Sequence, residues 1–318
     1  MTVWILADDR AGNVNQLLGI AAALNEESIR KDIRYTKWVK LPNFLRGASC
    51  IGITKESVSL LNTPWPDIVL SAGRRSFPVA RWIKYKSGGK TKIVQVMNPG
   101  VAGFKEADLI VLPAHDEYHG YDKNVLRISG APHAITSARL EKERLYWKDR
   151  LSKYPAPRLS LIVGGATKDK PFTSDMAHRL VDNVLALNPK SVLVTTSRRT
   201  PEEVVNVLKS RLSQDCFFYQ YGDKTENPYF GLLAWADKIV VTGDSISMCS
   251  ECCGTHVPVY IFAPDEMMSA KHKRFHQDLY AKGYATRLGD KDTITAMHGG
   301  VNPAHVIARK IREELFQK

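Results

Sequence analysis

Short β-branched runs and helical stretches alternate along almost all of this 318-residue chain. No other feature constrains the fold as much. Strands joined through helices return parallel to one another, and a parallel sheet must be covered by helices on both faces. In the first half, Thr2–Ala7, Ile33–Trp38, Asp67–Ser71, Lys92–Met97 and Asp108–Leu112 read as buried strands bounded by Gly, Pro, Asn or Asp. Between the first two, Asn13–Leu24 puts Val14, Leu17, Leu18, Ala21 and Leu24 on one helical face. In the second half, Leu159–Val163, Ser191–Thr196, Cys216–Gln220, Lys238–Thr242 and Val257–Phe262 read as strands. Thr200-Pro201-Glu202-Glu203 has the form of a helix start with Thr200 as N-cap, and Asn227-Pro228 and Asn302-Pro303 start two more helices in the same way. The last runs over about 303–316 with Ile307, Ile311 and Leu315 on one face. Gly254 and Gly283 read as helix ends.

The expected class is therefore α/β, with two Rossmann-like domains. Length alone favours two domains of ordinary size. Lys153-Tyr-Pro-Ala-Pro-Arg158 has the composition of a linker and divides the chain into 1–152 and 153–300. The charged stretch Ala138–Leu151 just before it reads as helical, whereas Asn43–Thr63 is poorly patterned and is expected to be a mobile loop.

The apolar, aromatic and charged fractions of 44 %, 9 % and 25 % exclude a disordered, collagen-like or coiled-coil chain. No apolar run is long enough to span a membrane, and the N-terminus goes straight into a strand without a basic leader region. Five cysteines, odd in number and mostly inside apolar runs, argue for a reducing compartment, so a cytoplasmic location is expected. Cys249-x2-Cys252-Cys253 has no second pair at ligand spacing and reads as buried small apolar residues, so no metal is expected. The formal charge of +12 favours anionic partners, among them a nucleotide phosphate or an acidic membrane surface. Nucleic acid is not expected, because no helix-turn-helix, ribonucleoprotein or zinc-finger signature is present. Trp38–Arg46 and Arg81–Lys90 mix basic and aromatic residues in a way that suits peripheral contact with anionic lipid, although solvated loops have the same composition.

Ligands of open α/β sheets lie beyond the carboxyl ends of the strands, so the segments following each strand hold the candidate site. After the first strand come Asp8, Asp9, Arg10 and then Gly12-Asn13-x-Asn15-Gln16, where Gly12 is expected to turn the chain tightly and the polar side chains to line a cleft. Ala72-Gly73-Arg74-Arg75 and Ser197-Arg198-Arg199-Thr200 place an Arg pair at a strand-to-helix turn in each half. Arginine forks and free helix N–H groups both suit phosphate or carboxylate. Gly164-Gly165 permits close approach to a ligand, but the chain has neither a Walker loop nor a Gly-x-Gly-x-x-Gly fingerprint. In Thr242-Gly243-Asp244-Ser245-Ile246-Ser247-Met248, a strand ends and a helix begins, whose first N–H groups suit a diphosphate. Glu251, two turns in, is placed to accept both hydrogen bonds of a ribose diol. His115, beside Asp116 after another strand, is a candidate general base. Ordinary capped turns would account for each of these segments alone.

Together they resemble a family. Trp4-x-Leu6-x-Asp8, Gly12-Asn13-x-Asn15-Gln16, Pro66-Asp67-x4-Ala72-Gly73-Arg74-Arg75, Pro113-x-His115-Asp116, Gly164-Gly165, Thr196-Ser197-Arg198-Arg199-Thr200-Pro201, Asn227-Pro228-Tyr229 and Thr242-x-Asp244-Ser245-x-Ser247-Met248-x2-Glu251 are similar to the mitochondrial-fission (elongated-mitochondria) family of plants and its bacterial relatives. The resemblance spans nearly the whole chain. It implies a GT-B-like fold, with two parallel sheets facing a central cleft and a C-terminal helix, 301–318, packing back on the first domain. The segment with Glu251 also resembles the donor site of the transferase that adds N-acetylglucosamine to lipid-linked muramyl-pentapeptide. There a Gly-Ala-x-Thr-x-x-Glu element holds the donor's phosphates and ribose; here Ser245-Ile-Ser247 stands in its phosphate half. That relative also carries a His in its first loop, whereas Asp8–Gln16 has none.

The implied activity is a metal-independent glycosyl transfer with a nucleotide-diphospho-sugar as donor substrate and no further cofactor. Gly164, Gly165, Ser197, Arg198, Arg199, Asn227, Tyr229, Asp244, Ser245, Ser247, Met248 and Glu251 would bind the donor, with Arg198 neutralising the departing phosphate. Asp8, Asn13, Asn15, Gln16, Gly73, Arg74 and Arg75 would bind an acceptor from the cell envelope or linked to lipid, with Asp9 or His115 as base. An epimerase and a non-catalytic scaffold on the same fold are the alternatives.

Overall fold

The computed structural model describes residues 1–100, 103–120, 122–167, 169–212, 215–290 and 300–316. The chain forms two compact units, Met1–Ala134 with Asn302–Lys318, and Ile135–Val301. The division thus falls ahead of the charged helical stretch rather than at Lys153–Arg158.

In the first unit β1 (Thr2–Ala7), α1 (Ala11–Leu24), β2 (Glu27–Asp32), α2 (Asn43–Arg46), α3 (Lys55–Ser59), β3 (Ile68–Ala72), α4 (Gly73–Lys86), β4 (Lys92–Val96), β5 (Leu109–Pro113) and β6 (Val125–Ile128) follow in order. The six strands form a parallel sheet in the order β2-β1-β3-β4-β5-β6. Alternation along β1 sends Val3 and Ile5 to one face, against Leu17 and Ile20 of α1, and Trp4 and Leu6 to the other, with Phe77, Val79 and Ile83 of α4. The last α-helix of the chain (Pro303–Ile311) joins the first face, where Ala304, Ile307, Ala308 and Ile311 are fully buried.

The second unit contains α5 (Ser137–Tyr146), α6 (Lys148–Leu151), β7 (Arg158–Val163), α7 (Ser174–Ala186), β8 (Ser191–Thr196), α8 (Glu202–Arg211), β9 (Cys216–Tyr219), α9 (Tyr229–Trp235), β10 (Lys238–Thr242), α10 (Ile246–Cys253), β11 (Val259–Phe262), α11 (Ala270–Ala281) and β12 (Thr286–Arg287). Its parallel sheet has the order β12-β11-β10-β7-β8-β9. The C-terminal helix is α12. Asn302 caps it, its Oδ1 accepting from the Ala304 N–H at 3.0 Å. Beyond Ile311 the chain continues as a π-helical turn, Arg312–Phe316.

The structure revises several expectations. Ile33–Trp38 is not a strand; β2 is Glu27–Asp32, an exposed edge strand with almost no apolar signal. Ile33 is the buried residue immediately beyond it, its N–H on the Ala7 carbonyl at 2.7 Å. Strands β6 and β12 carry too short an apolar run to stand out. Gly12 lies inside α1 and makes no turn. Thr200 does not cap α8, which starts after Pro201 with no side-chain cap. Arg81–Lys90 is largely the end of α4 rather than a loop. Asn43–Thr63 is folded: it contains α2 and α3, Thr54 caps α3 through the Ser57 N–H, and Ile53 and Leu61 enter the core.

Candidate functional site

Each sheet reverses its strand order at one point. In the second unit that point lies at β7 and β10: the chain spreads from β7 through β8 and β9 on one side and from β10 through β11 and β12 on the other. In open α/β sheets such a point is where ligands bind, at the carboxyl ends of the strands. Asp244 sits there with its side chain 0 % exposed. Its Oδ2 accepts from the Gly165 N–H at 2.9 Å and from Arg199 Nη2 at 2.7 Å, and its Oδ1 from the Thr242 hydroxyl at 2.7 Å. That hydroxyl accepts the Gly164 N–H at 2.7 Å. The expected ligand contact of Asp244 is thus an internal brace tying the loops after β7, β8 and β10. The glycines fit the brace: a Cβ on Gly165 would lie 2.0 Å from the Arg199 carbonyl oxygen.

The turn after β8 is equally fixed. Thr200 Oγ1 donates to the Gly164 carbonyl and accepts from the Ser197 N–H at 2.9 Å, and Ser197 Oγ accepts from the Arg199 N–H at 3.2 Å. Arg199 Nη1 donates to the Ala166 carbonyl at 3.0 Å. Its neighbour Arg198 is exposed and makes no ion pair among the described residues. The two arginines therefore divide: Arg199 is half committed to the brace and Arg198 is available.

Ser245 caps α10, its Oγ accepting from the Met248 N–H, and Ser247 lies half-buried in the first turn. Glu251 is buried on the same helix and accepts the Tyr229 hydroxyl on Oε2 at 2.6 Å. Burial and the Glu251 carboxylate hold the Tyr229 phenol well above its usual range, so it stays a donor. Asn227 Oδ1 accepts the Tyr229 N–H at 3.0 Å and sets the start of α9. Of the expected donor-side residues, Asp244 is turned inward, Glu251 lies in the second turn of α10, and the others lie on loops, caps or first helical turns after β7, β8, β9 and β10.

Two histidines join the site that the sequence did not mark. His276 of α11 meets the Gly243 carbonyl at 3.0 Å, and His272, one turn earlier, pairs through Nδ1 with Ser269 Oγ at 2.8 Å. Burial pushes His272 below the usual histidine range, while the Asp244 charge draws it back up. Their spacing of one helical turn was the available signal. Cys249, Cys252 and Cys253 lie in the core beside β10 and β11, with the Cys253 thiol pushed up to about 12 by burial.

In the first unit the reversal lies between β1 and β3. Gly73, at φ +68°, turns β3 into α4 and brings Arg75 over the end of β1. Arg75 Nη2 pairs with buried Asp8 at 3.0 Å and with Asp9, and its guanidinium stands 4.5 Å from the Tyr35 ring centroid. Asn13 Nδ2 also donates to Asp8 at 3.0 Å. Asp9 is 67 % exposed, and its hydrogen bond from Arg75 holds its carboxyl below the usual range. Asn15 is exposed and outside this cluster, and Arg74 reaches the Leu41 carbonyl at 3.3 Å.

His115 is buried, with Nε2 3.9 Å from Asp116, and follows β5, three strands from β1. At ordinary strand spacing that is about 14 Å, so Asp9 and His115 do not form one catalytic pair. Around the cluster, Gln16 Oε1, Tyr35 Oη, Asn43 Oδ1 and Arg46 Nη2 are buried without a hydrogen-bond partner among the described residues. Tyr35, Asn43 and Arg46 had no sequence signal, because their partners are distant in the chain.

Two six-stranded parallel sheets, each helix-covered and each with a polar cluster at its reversal point, define a protein of the two-domain GT-B-like class. The family model described as "Mitochondrial fission ELM1" matches residues 11–315, and the chain belongs to that family. It is 30 % identical, across 92 % of each chain, to an uncharacterised protein of Rickettsia prowazekii, RP120. It is 28 % identical to the mitochondrial fission protein ELM1 of Arabidopsis thaliana, over 79 % of this chain and 64 % of the plant protein, under two thirds of its length. Among solved structures, the UDP-GlcNAc 2-epimerase of Neisseria meningitidis bound to UDP-GlcNAc aligns with a TM-score of 0.58 at 11 % identity over 100 % of both chains. MurG of Acinetobacter baumannii aligns with a TM-score of 0.52 at 12 % identity, over 98 % of this chain and 99 % of that one. At such identities the likeness is one of fold.

Proposed function

We propose that the second unit binds a nucleoside-diphospho-sugar and that the protein transfers its sugar, without a metal, to a hydroxyl held by the first unit. The observation that carries this reading is the braced turn after β8. Arg199 is pinned on Asp244 beside Gly165, leaving Arg198 exposed on the same turn. Helix N–H groups, a preset arginine and an exposed one together suit a diphosphate. Glu251, which accepts the Tyr229 hydroxyl, would accept the ribose hydroxyls. As the sugar–phosphate bond breaks, the departing diphosphate takes its electron pair and Arg198 offsets the charge. Exposed Asp9 accepts the acceptor hydroxyl's proton. Its pairing with Arg75 keeps it ionised and makes it a weak base, so leaving-group stabilisation does most of the catalysis. In the first unit, the unpartnered Gln16, Tyr35 and Arg46 atoms suit a hydroxyl-rich acceptor.

UDP-GlcNAc is the first donor to test, since the Neisseria neighbour of the same fold holds it. A ligand at about 100 times its Kd adds roughly 2.7 kcal/mol, a shift of about 5–10 °C for a unit of this size. Such a shift is expected for one nucleoside diphosphate or its sugar, with Arg198→Ala and Glu251→Ala each weakening affinity at least tenfold in calorimetry. A flat nucleotide panel with folded protein overturns the donor site. Product from the donor alone, with no acceptor, replaces transfer by epimerisation.

A further inference from the structure

The loop from Lys37 to Ile53 in the first unit presents large apolar side chains to solvent. Phe44 is 71 % exposed, Leu45 60 %, Trp38 55 % and Ile51 48 %. Single exposed apolar residues need no explanation, but four within so short a stretch form a patch.

The exposure is enforced by the fold. Asn43 and Arg46, at the two ends of α2, are buried and clamped. Asn43 Nδ2 donates to the Arg74 and Pro99 carbonyls, both at 2.9 Å. Arg46 donates through Nε to the Ile51 carbonyl at 2.9 Å and through Nη1 to the Arg75 carbonyl at 3.1 Å. The two residues between them, Phe44 and Leu45, are thereby held outward. The Thr36 N–H on the Gly52 carbonyl at 3.0 Å and the Tyr35–Ile53 bridge close the same loop, so Trp38 and Ile51 belong to it.

Charge decides what covers the patch. Residues 33–55 contain Arg34, Lys37, Lys40, Arg46 and Lys55 and no Asp or Glu. Arg34, Lys37, Lys40 and Lys55 are exposed and make no ion pair among the described residues. Ala48 of this loop also lines a depression of about 590 Å³ with Lys105, the Arg81–Glu106 ion pair, Lys84, which pairs with Asp108, and Tyr85, which is itself exposed. Apolar and aromatic side chains held out beside Lys37 and Lys40, with exposed Asp32 and Glu56 only at the ends of the stretch, are what a negatively charged bilayer surface takes: rings and aliphatic chains enter the headgroup boundary while the lysines meet lipid phosphates.

We infer that this loop is a membrane-docking element, inserting Trp38, Phe44 and Leu45 into the interface of an anionic lipid bilayer. The clamp runs through the backbone of Arg74 and Arg75, so docking sets the Asp8–Arg75 cluster close to that surface. The inference does not depend on the donor reading, because lipid binding is measured without nucleotide.

Flotation of the full chain with vesicles tests it. Binding is expected to phosphatidylcholine vesicles containing about one third phosphatidylglycerol and not to phosphatidylcholine alone, and to weaken as salt rises. Phe44→Glu with Leu45→Glu is expected to lower the bound fraction at least tenfold, with the melting temperature and nucleotide affinity unchanged. Lys37→Glu with Lys40→Glu is expected to lower affinity about fivefold or more per charge. A wild-type chain that stays with the unbound fraction overturns the inference and leaves the patch to a protein partner. So does a folded Phe44→Glu, Leu45→Glu chain that floats like the wild type.

Discussion

Asp244 holds its side chain where no water reaches it, and three donors share its two oxygens: a backbone N–H, a hydroxyl and a guanidinium. A buried carboxyl group is tolerated there because these donors replace the water it has lost. The arrangement fixes Arg199 before any ligand arrives, so little side-chain freedom is lost on binding. His272 lies near the same charge, and its depressed pKa has a consequence. Unfolded, the imidazole takes up a proton near pH 6.5; folded, burial delays uptake to lower pH. The unfolded state therefore holds more protons below about pH 6.5, and stability falls as pH drops through that window. His272→Gln is expected to flatten the dependence of melting temperature on pH between about 7.5 and 5.5. An unchanged slope would remove His272 as its source.

At the scale of elements, α12 shows how a short amphipathic helix secures a sheet from far along the chain. Ile307 and Ile311 pack with Leu17, Ile20 and Leu24 of α1 over β1 and β3, all completely buried. Ile307→Ala is expected to cost about 2–5 kcal/mol by denaturant titration of the first unit, since neighbours on both helices cannot close the cavity. Central elements such as β3, β5, β7 and β10 were legible in the sequence because burial on both sides writes a continuous apolar run. Of the edge strands, β9 was legible, whereas β2, β6 and β12 were not. Glu27–Asp32 is held by backbone pairing to β1 alone and needs no apolar residue. The same contrast divides the site. Arg75, Arg199, Ser245 and Glu251 follow strands, and position alone makes them candidates. The inward turn of Asp244, the Thr200 hydroxyl on Gly164 and the Arg46 clamp depend on contacts between distant segments, which no local pattern records.

Over the whole molecule, the two units differ in how their cores are supplied. Every cluster in the second draws only on residues between Ile135 and Val301. The first needs α12 from beyond that range. A fragment of residues 135–301 is accordingly expected to fold cooperatively and keep the nucleotide affinity of the full chain. A fragment of residues 1–134 should fold only when 302–316 is joined to it. Circular dichroism and calorimetry on the fragments decide this, and an unfolded 135–301 piece would refute it. The interrupted first unit also bears on synthesis. A ribosome adding about 5–20 residues per second finishes residue 134 roughly 10–30 s before it reaches α12. Throughout that interval, the groove of Leu17, Ile20 and Leu24 lacks its cover, and by its end all of the second unit has been made. The nascent chain thus passes through an obligatory stage with one finished half and one half baring a greasy seam, a natural handle for chaperones.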